Sequence, residues 1–377
     1  MKNIYLDNAA TTPMTTIVVD AITKVMQTTF GNPSSTHKFG RTAKALVEQS
    51  RKIIAKHFKV TASEIVFTSG GSEADNLILK NAVLNLGVTR IISSKIEHHA
   101  VTHTIEALQK EQGIKVDFVN LNSKGEVDYL HLAELLADQT NKTLVSLMYV
   151  NNEIGNLLDL QKVSDLCIAN NALFHSDTVQ GIAHFNIDLQ KTPIDFIAAS
   201  AHKFHGPKGV GFAIIKKGFG IKPLLLGGEQ ERGARAGTEN VPSIVGMQVA
   251  LTTMLDNLND EVNYISSLKS YFIKQLDRNF KNVNYNGLSA DLEKSSYVIL
   301  NVRFPKEIAM LLFSLDLKGI AVSGGSACQS GSNKGSHVLN NILKEEEALK
   351  TSVRFSFSKN NTIEELDYVI NVLKELI

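Results

Sequence analysis

The runs EIVFTS (64–69), RIISS (90–94), KVDFVN (115–120), TLVSLMYV (143–150), ALFHSD (172–177) and DFIAAS (195–200) constrain the fold most. They are rich in β-branched and aromatic residues, and several are apolar almost throughout. Strands covered by helices on both faces have that pattern, whereas strands with one wet face alternate. Helical stretches at 73–86, 98–112 and 160–170 lie between them. Strand–helix alternation of this kind predicts an α/β fold with a mainly parallel sheet. After about residue 257 the pattern changes to a long helical segment, YVILNVRF (297–304), a helix near 308–317, a Gly/Ser-rich stretch, SVRFSFS (352–358) and a terminal helix. That predicts a large unit over 16–257 and a smaller α+β unit over 258–377, completed by the N-terminal segment 1–15. No internal repeat is visible, and SGGSACQSGSNKGS (323–336) reads as a loop.

A chain of 377 residues can bury a sizeable core. Its 39 Lys+Arg against 38 Asp+Glu form no like-charge block. The basic stripe of a dedicated nucleic-acid binder is therefore missing. Asp7 falls where a signal peptide needs an apolar core, and no apolar run approaches the roughly 20 residues of a membrane span. The only cysteines are Cys167 and Cys328, too few for a disulfide framework. These features predict a soluble protein of a reducing cytoplasm, without membrane or direct nucleic-acid contact.

Several short segments carry chemistry. In TSGGSEADN (68–76) a strand gives way to two glycines and a helix, with Ser72 expected at the N-cap and Asp75 three residues on. A helix N-terminus that glycines open to close approach can cradle a phosphate, although an ordinary strand–helix turn looks the same. Lys203 in SAHKFHGPKG (200–209) follows a strand and sits beside histidines. A desolvated lysine there suits Schiff-base chemistry, and the plainer alternative is an exposed loop lysine. Ser200 and His202 flank it as phosphate donors. Asp177 ends its strand where open α/β sheets bind ligands; it could pair with a pyridinium nitrogen or cap the next segment. His99 and His103 are four apart, but no third ligand presents itself, so no metal site is expected. Cys167 lies on an apolar helical face and reads as core filling. Cys328 sits in the Gly/Ser loop, where an accessible thiol can act as a nucleophile.

YLDNAATTP, TSGGSEADN, SKIEHHAV, MYVNNEIG, HSDTVQG, SAHKFHGPKG, RAGTEN, SGGSACQSGS and SVRFSFS occur in this order along the whole chain. In that it resembles the cysteine desulfurases of the class V, fold-type I pyridoxal-phosphate enzymes, in the subgroup with a long cysteine loop. The resemblance implies that Lys203 forms the Schiff base with pyridoxal 5'-phosphate. Asp177 would pair with the pyridinium nitrogen and Gln180 with the ring hydroxyl. His98 would stack on one ring face, with Val179 on the other. Gly71, Ser72, Ser200 and His202 would hold the phosphate, joined by Thr238 from a second subunit of a homodimer. Asn152 and Arg354 would grip the carboxylate of L-cysteine. Cys328 would take the sulfur as a persulfide and pass it to a protein acceptor, either a tRNA-thiolation enzyme or an iron–sulfur scaffold. Ser72 stands where the family usually has Thr, and Thr178 where it has Ala. The chain stops soon after its last helix, and housekeeping iron–sulfur members carry a longer tail, which puts the scaffold in doubt. The alternative is another class V enzyme, an aminotransferase or selenocysteine lyase. An aminotransferase needs no Cys328, and the lyases tend to carry a shorter cysteine loop.

Overall fold

The computed structural model describes residues 3–324 and 335–377. After a short strand β1 (Ile4–Tyr5), helices α1 (Thr16–Thr28) and α2 (Lys38–Phe58) lead into the sheet-forming region. There β2 (Ile65–Thr68), α3 (Gly71–Leu84), β3 (Arg90–Ser93), α4 (His99–Gln112), β4 (Lys115–Phe118), α5 (Tyr129–Ala137), β5 (Thr143–Ser146), α6 (Leu160–Ala169) and β6 (Leu173–Asp177) alternate. Then come β7 (Phe196–Ser200) and β8 (Gly211–Ile215), and α7 (Val241–Asp256) closes this region.

Strands β2 to β8 form one seven-stranded sheet in the order β2-β8-β7-β6-β5-β3-β4. Neighbours from β7 through β6, β5 and β3 to β4 run parallel. The α/β expectation holds, with one reversal: β8 is antiparallel to both β2 and β7. The ten residues 201–210 that join β7 to β8 contain no helix able to cross the sheet, and a connection shorter than about a dozen residues returns the chain antiparallel. Helices cover both faces. Val47, Ile54, Met247 and Leu251 pack with one set of strand residues, while Leu77, Ile78, Val101 and Ile105 pack with the other. Double coverage explains the unbroken apolar strands. The edge strand β4 is the exception, being partly exposed and carrying Lys115 and Asp117.

The rest of the chain follows α8 (Leu258–Asn279) with β9 (Asn284–Tyr285), β10 (Ile299–Arg303), α9 (Leu311–Leu317) and β11 (Ile320–Ala321). It ends with α10 (His337–Ile342), α11 (Glu345–Ala348), β12 (Ser352–Ser356) and α12 (Ile363–Leu376). β12, β10 and β9 make an antiparallel sheet, and β1 pairs in parallel with β11. A separate apolar cluster forms here from Phe272, Leu300, Phe355 and Leu373. Ile4, Leu6 and Ala9 join it, which returns the N-terminus to the C-terminal elements. Among the described residues no helix is long and apolar enough to cross a membrane.

Candidate active site

The carboxyl ends of β2, β6 and β7 open into a cavity of about 220 Å³. Open α/β sheets bind ligands at this edge because helix N-termini and strand ends converge there. Every residue expected at the site lines this cavity except Thr238 and Cys328. Thr238 is exposed. Cys328 lies outside the described residues.

The phosphate end is built from β2, a two-residue turn and α3. The cap differs from expectation: Gly70, not Ser72, is the N-cap, and Ser72 lies inside the first turn. Gly70 takes φ +154°, a conformation that glycine tolerates and Ser would not. The carboxylate that serves the helix start is Glu73, whose Oε2 accepts from Ser69 N–H, one residue before the cap, at 2.7 Å. Asp75 is therefore free of the capping role and turns inward to line the cavity. A Cβ on Gly71 would stand 2.5 Å from Val179 Cγ2. Only a glycine leaves room there for both Val179 and a group at the helix end. The N–H groups of α3, the hydroxyls of Ser72 and Ser200 and the ring of His202 surround this spot, a donor set suited to a phosphate.

At the far side β7 ends in a 3-10 turn, Ala201–Lys203, that projects Lys203 into the cavity. Its ammonium donates to the carbonyls of Ala9 (2.7 Å) and Ala10 (2.8 Å). Gln180 Nε2 donates to the same Ala9 carbonyl at 2.8 Å. Asp177, at the end of β6, is buried, and its Oδ1 accepts from Val179 N–H at 2.9 Å. Burial pushes its carboxyl up, opposed by His98, the Val179 N–H and Lys203. His98 caps α4, with Nδ1 accepting from Ala100 N–H at 3.1 Å, so the neutral ring carries its proton on Nε2. Burial lowers its pKa, which keeps the ring neutral and able to lie against an aromatic group.

Arg354 enters from β12 and is 1% exposed. Its Nη1 donates to Asn152 O at 2.8 Å and its Nη2 to Asp7 Oδ1 at 2.9 Å. A guanidinium aimed into a cavity suits a carboxylate. The histidine pair His99 and His103 stacks with ring centroids 4.7 Å apart, and His337 stands 4.3 Å from His99. No group of three or more His, Cys, Asp or Glu set to hold a metal ion occurs among the described residues.

Two parts of the site went unassigned in the sequence. One is the segment 7–10, which touches Arg354, Gln180 and Lys203; YLDNAATTP stood out as a motif but suggested no role. The other is a buried acidic group under the cavity, Asp75 and Glu97 beside Asp177. Asp75 Oδ1 lies 3.4 Å from Nε2 of the buried His175. No local pattern announces it, because β2–α3, β3–α4 and β6 each supply one member.

The cavity thus offers a phosphate cradle, a lysine and a buried carboxylate in one space. These residues fit pyridoxal phosphate: the cradle for its phosphate, Lys203 for its aldehyde carbon, Asp177 for its ring nitrogen.

The aminotransferase class-V family model matches residues 4–369. A cysteine desulfurase IscS of Dictyoglomus turgidum is 38% identical over 381 residues, covering 100% of this chain and 95% of its own. One from Clostridium botulinum is 40% identical over 379 residues, covering 100% and 94%. Among solved structures, a NifS-like protein superposes with a TM-score of 0.90 at 34% identity, over 99% of each chain. A structure of SspA in complex with cysteine gives 0.82 at 30% identity, over 95% of this chain and 100% of that one. The chain belongs to the class-V aminotransferase family of pyridoxal-phosphate enzymes, in its cysteine desulfurase branch.

Proposed function

We propose that this enzyme removes sulfur from L-cysteine, releases L-alanine and holds the sulfur as a persulfide on Cys328. The observation that carries the reading is the convergence of Lys203, Asp177 and Arg354 on one cavity, in a chain that matches cysteine desulfurases along its whole length. When bound, pyridoxal phosphate supplies an electron sink for the bonds broken at the substrate's α- and β-carbons. Gly71, Ser72, Ser200 and His202 would hold its phosphate, Asp177 its ring nitrogen and Gln180 its hydroxyl, with His98 and Val179 against the ring. Lys203 tethers it and then moves the substrate's α-proton. Arg354 and Asn152 hold the substrate carboxylate. The Cys328 thiolate attacks the substrate sulfur. An S–S bond forms and the Cβ–S bond breaks with its electron pair left on carbon. A proton there completes the methyl group of alanine.

The same reading divides the chain into a cofactor-holding unit, 16–257, with an apolar cluster on each face of its sheet, and a smaller unit, 258–377 with 1–15, with a cluster of its own. It pairs two copies so that exposed Thr238 of each completes the other's phosphate site. It places the enzyme in the cytoplasm, where a protein acceptor for tRNA thiolation or iron–sulfur assembly takes the persulfide.

The test is peptide mass spectrometry after exposure to L-cysteine without reductant. One added sulfur is expected on the Cys328 peptide and none on Cys167, which is 2% exposed and whose thiol burial holds protonated. Cys328→Ser should keep cofactor and substrate binding and release no sulfur. An active Cys328→Ser enzyme would return the site to the aminotransferase or selenocysteine-lyase reading.

A further inference from the structure

The guanidinium of Arg354 is almost wholly enclosed, yet its Nε has no hydrogen-bond partner among the described residues. Arg354 lines the cavity, and a buried donor left without a partner there is costly unless a ligand satisfies it. Two acceptors hold the guanidinium in that pose. Asn152 O takes a hydrogen from one terminal nitrogen and Asp7 Oδ1 takes one from the other. A planar fork clamped at both terminal nitrogens cannot turn about its axis. Asp7 is itself fixed: the same Oδ1 accepts from Ser323 Oγ at 2.8 Å, and its backbone bridges to Ser356 on β12. Its side chain is only 17% exposed.

We propose that Asp7 is the positioning residue for substrate-carboxylate recognition: it orients Arg354 so that the unpartnered edge meets the carboxylate of the amino-acid substrate. This rests on the reading of Arg354 as the carboxylate-gripping residue. Asp7 touches neither cofactor nor substrate and acts through the guanidinium. Selection against amines that lack a carboxylate therefore depends on a residue of the N-terminal segment. The same segment, through the Ala9 and Ala10 carbonyls, also meets Lys203.

The experiment separates position from charge. Holoenzyme is titrated with L-alanine and with L-alaninamide, which lacks the carboxylate, and each dissociation constant is read from the change in visible absorption. Asp7→Glu keeps the charge but moves the acceptor. It should weaken L-alanine about tenfold, as expected for a misplaced hydrogen bond to a charged group, while alaninamide changes less than about twofold. Asp7→Asn keeps the acceptor in place and loses the charge. It should hold L-alanine within about threefold of wild type. Loss of L-alanine binding in Asp7→Asn, or none in Asp7→Glu, overturns the proposal. So does an equal loss for both ligands. If Asp7→Glu fails to retain cofactor, Asp7→Asn decides alone. Arg354→Ala runs in parallel. Should it keep the wild-type preference for L-alanine, the reading of Arg354 has failed, whatever Asp7 does.

Discussion

Asp75, Glu97 and Asp177 share a buried neighbourhood in which three negative charges would repel strongly. Asp177 has the cationic neighbour Lys203 and is placed to carry the charge. Burial raises Asp75 well above the ordinary carboxylate range and Glu97 to about 8. A folded state that keeps the Glu97 proton binds more protons than the unfolded chain between about pH 4.5 and 8. Stability from this residue is present on the acid side and is lost as pH climbs through that window. Glu97→Gln mimics the protonated acid and cannot ionise. Its melting temperature should fall less steeply than wild type between about pH 5 and 8, and thermal melts across that range check it. His175 has the opposite sign: burial lowers it to about 3, so its contribution is lost as pH drops below its ordinary value of 6.5. Lys203→Ala should abolish the covalent attachment of cofactor and turnover together. Purified variant that dialyses to colourless while the wild type stays yellow is the expected result.

Among elements, the end of β2 and the start of α3 are tightly specified. Gly211 on β8 lies where a Cβ would come 2.2 Å from Ala199 O and 2.8 Å from Gly70 Cα, so β8 can press against the phosphate turn only as glycine. Gly71 faces Val179 with as little room. Gly71→Ala must displace Val179, at roughly 1–2 kcal/mol of overpacking. We expect cofactor affinity about tenfold weaker with unchanged far-ultraviolet circular dichroism, the affinity read by equilibrium dialysis. The motif TSGGSEADN pointed to this element correctly but set the cap two residues late. Ser is a common N-cap, and only the positive φ of Gly70 reveals that the helix has already begun at Gly71.

At the scale of the molecule, apolar side chains remain on the outside. The rings of Phe30 and Phe39 lie 5.0 Å apart while 78% and 55% exposed, and Leu226 is 87% exposed. A twofold partner would cover such residues. In the proposed homodimer, Phe30→Asp should shift the protein toward monomer in sedimentation velocity, and cofactor retention should fall with it where Thr238 serves the partner's phosphate site as proposed. Strand periodicity and helix N-terminus chemistry are local, spanning fewer than about ten residues, so the α/β class, the mainly parallel sheet and the motifs around Lys203, Asp177 and Ser72 could be read directly from the chain. Long-range closure is different. Arg354 meets Asp7 across 347 positions and Lys203 meets Ala9 across 194, because the N-terminus packs into the C-terminal apolar cluster. Which strand runs backwards, and which of several buried carboxylates carries charge, likewise follow from neighbours brought together only by folding. Residue type and spacing specify what chemistry a segment can do; burial and proximity, which are properties of the packed chain, decide which segments share a site.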